Sequence, residues 1–132
     1  MEIGKARKVR DGNEVSIITY GAGVHWASKH VKEAGIDADI IDLRTLLPWD
    51  KNAVEESVKK TGKAFILHED TLTGGIGAEI AAHIAQHCFK NLDAPVMRSG
   101  SLDSPVPFNS ELEQNFLPKE RFKKELDELL RF

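Results

Sequence analysis

The sequence has little cysteine, almost no excess of charge of either sign, and no long hydrophobic run. Cys88 is the one cysteine among 132 residues, which excludes an internal disulfide framework and a cysteine-rich zinc site. A formal net charge of −3 excludes the basic excess of a nucleic-acid-binding chain. No apolar run approaches the ~18 residues of a membrane span, and the first residues are too polar for a secretory signal. We therefore expect neither a nucleic-acid nor a membrane partner.

The composition that is present is that of a folded domain. Hydrophobic residues make up 41% of the chain and charged residues 30%, a balance that excludes intrinsic disorder. A chain of 132 residues has a common single-domain size and can bury one core. We expect a single soluble, intracellular domain over residues 1–132.

Four β-rich segments alternate with four segments that carry apolar residues at helical spacing. The predicted strands are 15–20, 38–43, 64–67 and 95–98, and the predicted helices are 24–34, 50–60, 78–89 and 119–130. Residues 99–118 contain Pro105, Pro107 and Pro118 and are predicted to be irregular. This alternation is typical of parallel βαβ units, so the predicted fold class is α/β, a three-layer α/β/α sandwich.

Ligands of such sheets usually bind at the loops that follow the strands, here residues 21–23, 44–49, 68–77 and 99–108. One of them contains Gly74, Gly75 and Gly77 just before a predicted helix. Free amides at a helix N-terminus can bind an anion. The run matches neither the dinucleotide fingerprint nor the phosphate-loop motif. The alternative interpretation is that the glycines allow a turn and close packing.

His68, Glu69 and Asp70 follow the third predicted strand. A histidine beside carboxylates can transfer protons, but adjacent residues on an extended chain point to opposite faces and need not converge. The alternative is a histidine that closes the loop by a hydrogen bond to Thr71 or Thr73.

Arg44 follows the second predicted strand. Its guanidinium can clamp a carboxylate. That carboxylate is either a substrate's or, in an internal or subunit-interface ion pair, a group such as Asp42 or Asp50.

The remaining histidines and Cys88 give weak signals. His83 and His87 are four residues apart, a spacing that suits a metal, but the sequence offers no obvious third ligand. His25 and His30 are five apart and are not expected to share a helix face. Cys88 is interpreted as a small buried hydrophobic residue.

Longer segments, taken in order, resemble a known family. The most specific is 42–50 (Asp-Leu-Arg-Thr-Leu-Leu-Pro-Trp-Asp), followed by His68-Glu69 with 73–80 (Thr-Gly-Gly-Ile-Gly-Ala-Glu-Ile). Weaker matches are Gly4-Lys5-Ala6-Arg7, Thr19-Tyr20-Gly21 with Val24-His25-Trp26-Ala27, Ala94-Pro95-Val96 and Leu117-Pro118. Together they resemble the C-terminal domain of the beta subunit of thiamine-diphosphate-dependent 2-oxo acid dehydrogenases, the decarboxylating first component of those complexes. The chain departs from the family at Ile76, where phenylalanine is usual, and at residues 100–105, where Asp-Thr-Pro is common.

The resemblance implies a transketolase-type C-terminal domain, with about five mostly parallel strands. In the family, thiamine diphosphate and Mg²⁺ are held by the alpha subunit through a Gly-Asp-Gly motif that this chain lacks. The glutamate that activates the cofactor belongs to the pyrimidine-binding N-terminal domain of the beta subunit. The chain is therefore expected to be a fragment of a longer subunit and to carry no catalytic, cofactor-binding or metal-binding residue.

The resemblance also implies partners. They are an alpha subunit and a second beta subunit, in an alpha2–beta2 heterotetramer, and the peripheral subunit-binding domain of the dihydrolipoyl acyltransferase core. In some relatives that domain is docked by acidic side chains and the C-terminal carboxylate of the beta subunit, which makes Asp93 and Phe132 the candidates here. The full set of candidate interface or loop-edge residues is Arg44, His68, Glu69, Gly74, Gly75, Gly77, Asp93 and Phe132.

Residues 46–50 resemble the branched-chain enzymes, which act on 2-oxo acids such as 2-oxoisovalerate. The alternatives are the corresponding domain of a pyruvate dehydrogenase, a transketolase or a deoxyxylulose phosphate synthase, or an unrelated α/β module that binds a small anion. The family implies a cytoplasmic location if the source is bacterial and the mitochondrial matrix if it is eukaryotic.

Overall fold

The computed structural model describes residues 2–103 and 116–132, in which a five-stranded sheet carries helices on both faces. The strands are β1 (Arg7–Arg10), β2 (Val15–Thr19), β3 (Ala38–Asp42), β4 (Ala64–Thr71) and β5 (Met97–Ser101). The helices are α1 (Ala22–Ala34), α2 (Lys51–Thr61), α3 (Ile76–His87) and α4 (Arg121–Leu130), with a short 3₁₀ turn at Phe89–Asn91.

The strand order is β1-β3-β2-β4-β5, and β2, β3, β4 and β5 run parallel to one another. The mostly parallel sheet and the α/β fold class are therefore confirmed. Strand β1 was not predicted, and it pairs antiparallel with β3 at the sheet edge. Its residues are basic and largely exposed, so they lack the apolar alternation by which strands are predicted.

Adjacent residues of the central strands point into two separate cores. Ile17 and Phe65 pack with residues of α1 and α4 on one face of the sheet. Ile18 and Ile66 pack with residues of α2 and α3 on the other. This alternation follows from the two-residue period of a strand, and it confirms the three layers.

Helix α2 begins and ends where its capping residues predict. The Asp50 side chain accepts a hydrogen bond from the Ala53 amide at 3.1 Å, which is the contact expected of an aspartate N-cap. Gly62 follows the helix in the left-handed conformation, with φ of 78°, where a side chain would be strained. This cap turns the chain directly into β4.

The predicted ends of β4 and β5 were wrong. β4 continues to Thr71 rather than Leu67, and β5 is Met97–Ser101 rather than 95–98, so it includes residues predicted to be irregular. The reason is that the two strands pair with each other as far as Thr71 and Ser101, a long-range pairing that polar residues do not signal. The rest of the predicted loop 99–108 after residue 103, including Pro105 and Pro107, lies outside the described residues.

Helices α3 and α4 also differ at their ends from the prediction, starting at Ile76 and Arg121. Within the described part of the chain, no helix has the length and hydropathy needed to cross a bilayer.

Candidate functional site

His68, Glu69 and Asp70 lie within β4 rather than in a loop. His68 is fully buried, whereas Glu69 and Asp70 are exposed. The strand therefore turns the imidazole and the neighbouring Glu69 carboxylate to opposite faces, as the alternation of an extended chain requires. The three side chains do not form a proton-transfer group.

The His68 ring is held in one tautomer by its own strand. Its Nδ1 lies 2.9 Å from the Asp70 main-chain oxygen, and a carbonyl oxygen accepts hydrogen bonds only, so Nδ1 carries the proton. Nε2 is buried without a hydrogen-bond partner in the described structure. Burial lowers the pKa of His68, so the neutral ring predominates. The predicted hydrogen bond to Thr71 or Thr73 was wrong, because the Asp70 carbonyl lies closer along the same strand.

Three glycines surround this imidazole. A Cβ atom on Gly75, Gly77 or Gly100 would lie 2.9, 2.5 or 2.8 Å from an atom of the His68 ring. Those distances are shorter than van der Waals contact, so the ring occupies the space that side chains would need. Close packing thus explains Gly75 and Gly77 without a bound anion.

The loop before α3 already contacts a carboxylate of the chain itself. Asp103 accepts hydrogen bonds from the amide of Thr73, at 2.9 Å, and from its hydroxyl. These two hydrogen bonds lower the pKa of Asp103 and keep it ionised. A negative charge at this position opposes the binding of an external anion nearby.

Arg44 does not form the predicted internal ion pair with Asp42 or Asp50. Its guanidinium donates to the Lys5 carbonyl at 3.1 Å, and its backbone φ is 59°. Asp42 lies 3.6 Å from Arg7 instead, and Asp50 caps α2. The Arg44 amide donates to Asp42 Oδ1 at 3.2 Å, while its side chain extends toward the N-terminal segment.

His83 and His87 do lie together on α3, with ring centroids 4.2 Å apart. His83 Nε2 is 2.6 Å from Glu55 Oε1 on α2, so the pair joins two helices. Among residues 2–103 and 116–132, no group of three His, Cys, Asp or Glu side chains is placed to hold a metal. Cys88 is buried, and burial raises the pKa of its thiol, as expected of an inert cysteine.

His25 and His30 both line one pocket, together with residues at the start of α4. That the two histidines do not share a helix face stays a prediction.

Asp93 and Phe132, the two predicted docking residues, are each held by a residue near the start of β4, and we call them the docking pair. The Asp93 amide donates to the Gly62 carbonyl at 2.8 Å. Lys63, the next residue, donates through Nζ to the Phe132 main-chain oxygen at 2.9 Å. Two consecutive residues therefore hold two positions that are far apart in the sequence.

Both members of the docking pair are accessible. Asp93 is exposed, and Phe132 is 65% exposed. A Cβ atom on Gly62 would lie 2.3 Å from Asp93 Oδ2, so the absence of a side chain there makes room for the carboxylate. No basic side chain of the described residues lies within salt-bridge distance of Asp93, which leaves its charge free for a partner.

The sequence did not single out Lys63 or Asp103. Both act through contacts with residues distant along the chain, and a lysine after a helix or an aspartate after a strand has no distinctive pattern. The available signal for Lys63 was its place directly after Gly62, since a glycine cap fixes the direction in which the next residue leaves the helix.

Comparison with known proteins places the chain in a family. Residues 4–121 match the family model described as the transketolase C-terminal domain. The chain is 41% identical over 121 residues to the 2-oxoisovalerate dehydrogenase subunit beta of Bacillus subtilis, which covers 89% of this chain and 37% of that protein. It is 40% identical over 124 residues to the pyruvate dehydrogenase E1 component subunit beta of the same organism, covering 92% and 38%.

A solved structure supports the fold. It is described as a split-gene transketolase, an inactive beta4 tetramer, and superposes with a TM-score of 0.79 at 24% identity over 99% of this chain and 43% of that one. The chain thus spans less than half of each of these three proteins. With the match over residues 4–121 and the parallel sheet in agreement, the chain belongs to the transketolase C-terminal domain family.

Proposed function

We propose that this chain is the C-terminal domain of the beta subunit of a 2-oxo acid dehydrogenase, in the decarboxylating first component, and that it serves subunit assembly and docking. The observation that carries the proposal is similarity of 40–41% to beta subunits of two such enzymes over about nine tenths of the chain. The whole enzyme oxidatively decarboxylates a 2-oxo acid and transfers the acyl group to a lipoyl group. It works in the cytoplasm of a bacterium or in the mitochondrial matrix.

The exposed apolar side chains support a role in assembly with an alpha subunit and a second beta subunit. A cluster of large apolar side chains is rarely left exposed to water unless a partner covers it. Among the described residues, the large hydrophobic side chains with the greatest exposure are Ile3 at 75%, Leu47 at 93% and Phe89 at 75%. Leu47 and Ile3 both border the Arg44 loop, because Gly4 donates to the Thr45 hydroxyl. We assign this loop to a subunit interface.

The described residues do not fit the cofactor of the parent enzyme. Thiamine diphosphate and Mg²⁺ need a pyrophosphate cradle with oxygen ligands for the metal. The glycine-rich loop before α3 packs against His68, and the Asp103 carboxylate is hydrogen-bonded to it. We therefore assign cofactor chemistry to the rest of the enzyme. His68 and Glu69 are assigned a structural role at the end of β4.

The docking pair suits a basic partner such as the peripheral subunit-binding domain of the acyltransferase core. The exposed Asp93 carboxylate offers a charge contact and the exposed Phe132 ring an apolar contact. Charge pairs at the rim of an interface chiefly steer encounter and orientation.

We assign the substrate to the branched-chain 2-oxo acids. Identities of 41% and 40% to the two classes of beta subunit do not separate them. The assignment rests on residues 46–50, which resemble those of the branched-chain enzymes.

Asp93→Asn is expected to weaken binding of a purified peripheral subunit-binding domain by about tenfold, or ~1.4 kcal/mol. The substitution removes the charge and keeps the shape, so folding is unaffected. The measurement is calorimetric titration at low and at high salt, and the difference between the two proteins is expected to shrink at high salt.

Asp37→Asn is the matched control, because Asp37 is an exposed aspartate at the same edge of the sheet, just before β3. Its variant is expected to bind like the original chain. Equal affinity of the Asp93 and Asp37 variants would remove Asp93 from the docking surface.

A further inference from the structure

A small pocket lies between α1 and the start of α4, away from both the glycine-rich loop and the docking pair. Its volume is about 280 Å³, close to the lower end of small-molecule sites. We call it the lysine pocket, and it is lined by His25, Trp26, Lys29, His30, Lys119, Glu120 and Lys123.

The lysine pocket concentrates positive charge. Three lysines and one glutamate line it, which leaves an excess of two positive charges. Lys123 lies 2.7 Å from Glu120, and the lysines lower the pKa of that glutamate, Lys123 most strongly through its hydrogen bond. In the described part of the chain, no carboxylate lies within salt-bridge distance of Lys29 or Lys119. Their charges are available to an anion.

Aromatic side chains also line the pocket. Trp26 is half-buried, packs against the core beneath α1 and lines the pocket. His30 packs edge-on against Phe122, with ring centroids 5.5 Å apart. Burial, with a smaller contribution from Lys123, lowers the pKa of His30, so its neutral ring can donate or accept a hydrogen bond without adding charge.

We propose that the lysine pocket binds an organic phosphate that carries a flat ring, the chemistry of a nucleoside phosphate. Lys29 and Lys119, the lysines without a carboxylate partner among the described residues, would hold the phosphate by charge-assisted hydrogen bonds. The ring would lie on Trp26, since planar heterocycles stack on an indole face. This proposal is independent of the proposed function of the chain and is tested separately.

The charges around the lysine pocket determine the orientation of the ligand. A second hollow shares His30 and Lys123 with the lysine pocket but contains the acidic residues Glu14 and Asp127. A phosphate is repelled from that side. The phosphate therefore belongs on the side of Lys29 and Lys119, with the uncharged part of the ligand toward His30.

The test is calorimetric titration of the chain with AMP, inorganic pyrophosphate and adenosine, which separate charge from ring. AMP is expected to bind saturably and more tightly than the other two. The double variant Lys29→Gln/Lys119→Gln is expected to weaken AMP binding at least about tenfold. Trp26→Leu keeps apolar contact with the core and is expected to remove the advantage of AMP over pyrophosphate.

Lys59→Gln is the control, since Lys59 is an exposed lysine on α2, across the sheet from the pocket, and its variant is expected to bind AMP normally. Absence of saturable AMP binding at millimolar concentration would overturn the proposal. So would AMP binding that the double variant leaves unchanged, or AMP binding no tighter than pyrophosphate.

Discussion

Asp39→Ala is expected to lower the free energy of unfolding by about 3–5 kcal/mol, because it leaves the donors to a buried carboxylate unsatisfied, at about 1–3 kcal/mol for each buried group. Asp39 is fully buried on β3. Its Oδ1 lies 3.0 Å from Lys60 Nζ and accepts from the Gly12 amide at 3.2 Å. Its Oδ2 accepts from the Ser57 hydroxyl. Alanine would leave all three donors without this acceptor.

The cost is large because the carboxylate is the centre of a wider network. Ser57 is within hydrogen-bond distance of Ser16, which also reaches Thr61, so β2, β3 and α2 are joined through one buried group. Hydrogen bonds to Asp11 and to Asp39 raise the pKa of Lys60 to about 12, so the lysine stays charged throughout the neutral range.

Asp11→Ala provides the matched control. Asp11 contacts the same Lys60, at 2.8 Å, but its side chain is 79% exposed. An exposed ion pair of this kind contributes little to stability, because water screens both charges. Urea denaturation of the two variants measures both costs. If they were equal, burial of Asp39 would not be the source of its contribution.

Gly77→Ala is expected to lower the free energy of unfolding by about 1–3 kcal/mol, as overpacking of a core does. In an open helix position alanine would instead be favoured by about 1 kcal/mol. The sign reverses because the new Cβ would lie 2.5 Å from His68 Nε2 and 3.3 Å from Ile66 Cγ2. Neither the imidazole, tied to Asp70, nor the strand beneath it can retreat freely.

Two further variants isolate that cause. In the background of His68→Ala, the space beside Gly77 is empty, so Gly77→Ala is expected to stabilise the chain. Ala82→Gly, at an exposed position of the same helix, measures propensity alone and is expected to cost about 1 kcal/mol. A Gly77→Ala cost that persists without the imidazole would show that His68 is not the obstacle.

The parts of the fold that local chemistry determines were predictable from the sequence. The central strands are apolar and short, and α2 begins at Asp50 and ends at Gly62 because both residues satisfy helix ends by themselves. The edge strand β1 and the extension of β4 were not predictable. Each is stabilised by pairing with a distant strand, through residues such as Arg7 and Thr71 that carry no apolar period.

The candidate site was predictable only in part, for a similar reason. His68 and the glycines were noticed as separate signals. That they pack together, with Gly100 of β5 against the same ring, appears only in the structure. Asp93 and Phe132 remain predicted docking residues, and what the structure adds is that Gly62 and Lys63 hold them near the start of β4. The lysine pocket combines α1 with α4, two helices separated by most of the chain.

We propose that this domain serves assembly and docking, and that cofactor chemistry belongs to the rest of the enzyme. Calorimetric titration of thiamine diphosphate with Mg²⁺ into the purified chain is the decisive experiment. We expect heats of dilution alone at every cofactor concentration. Saturable binding in the micromolar range would place the cofactor site on this domain and refute the proposal.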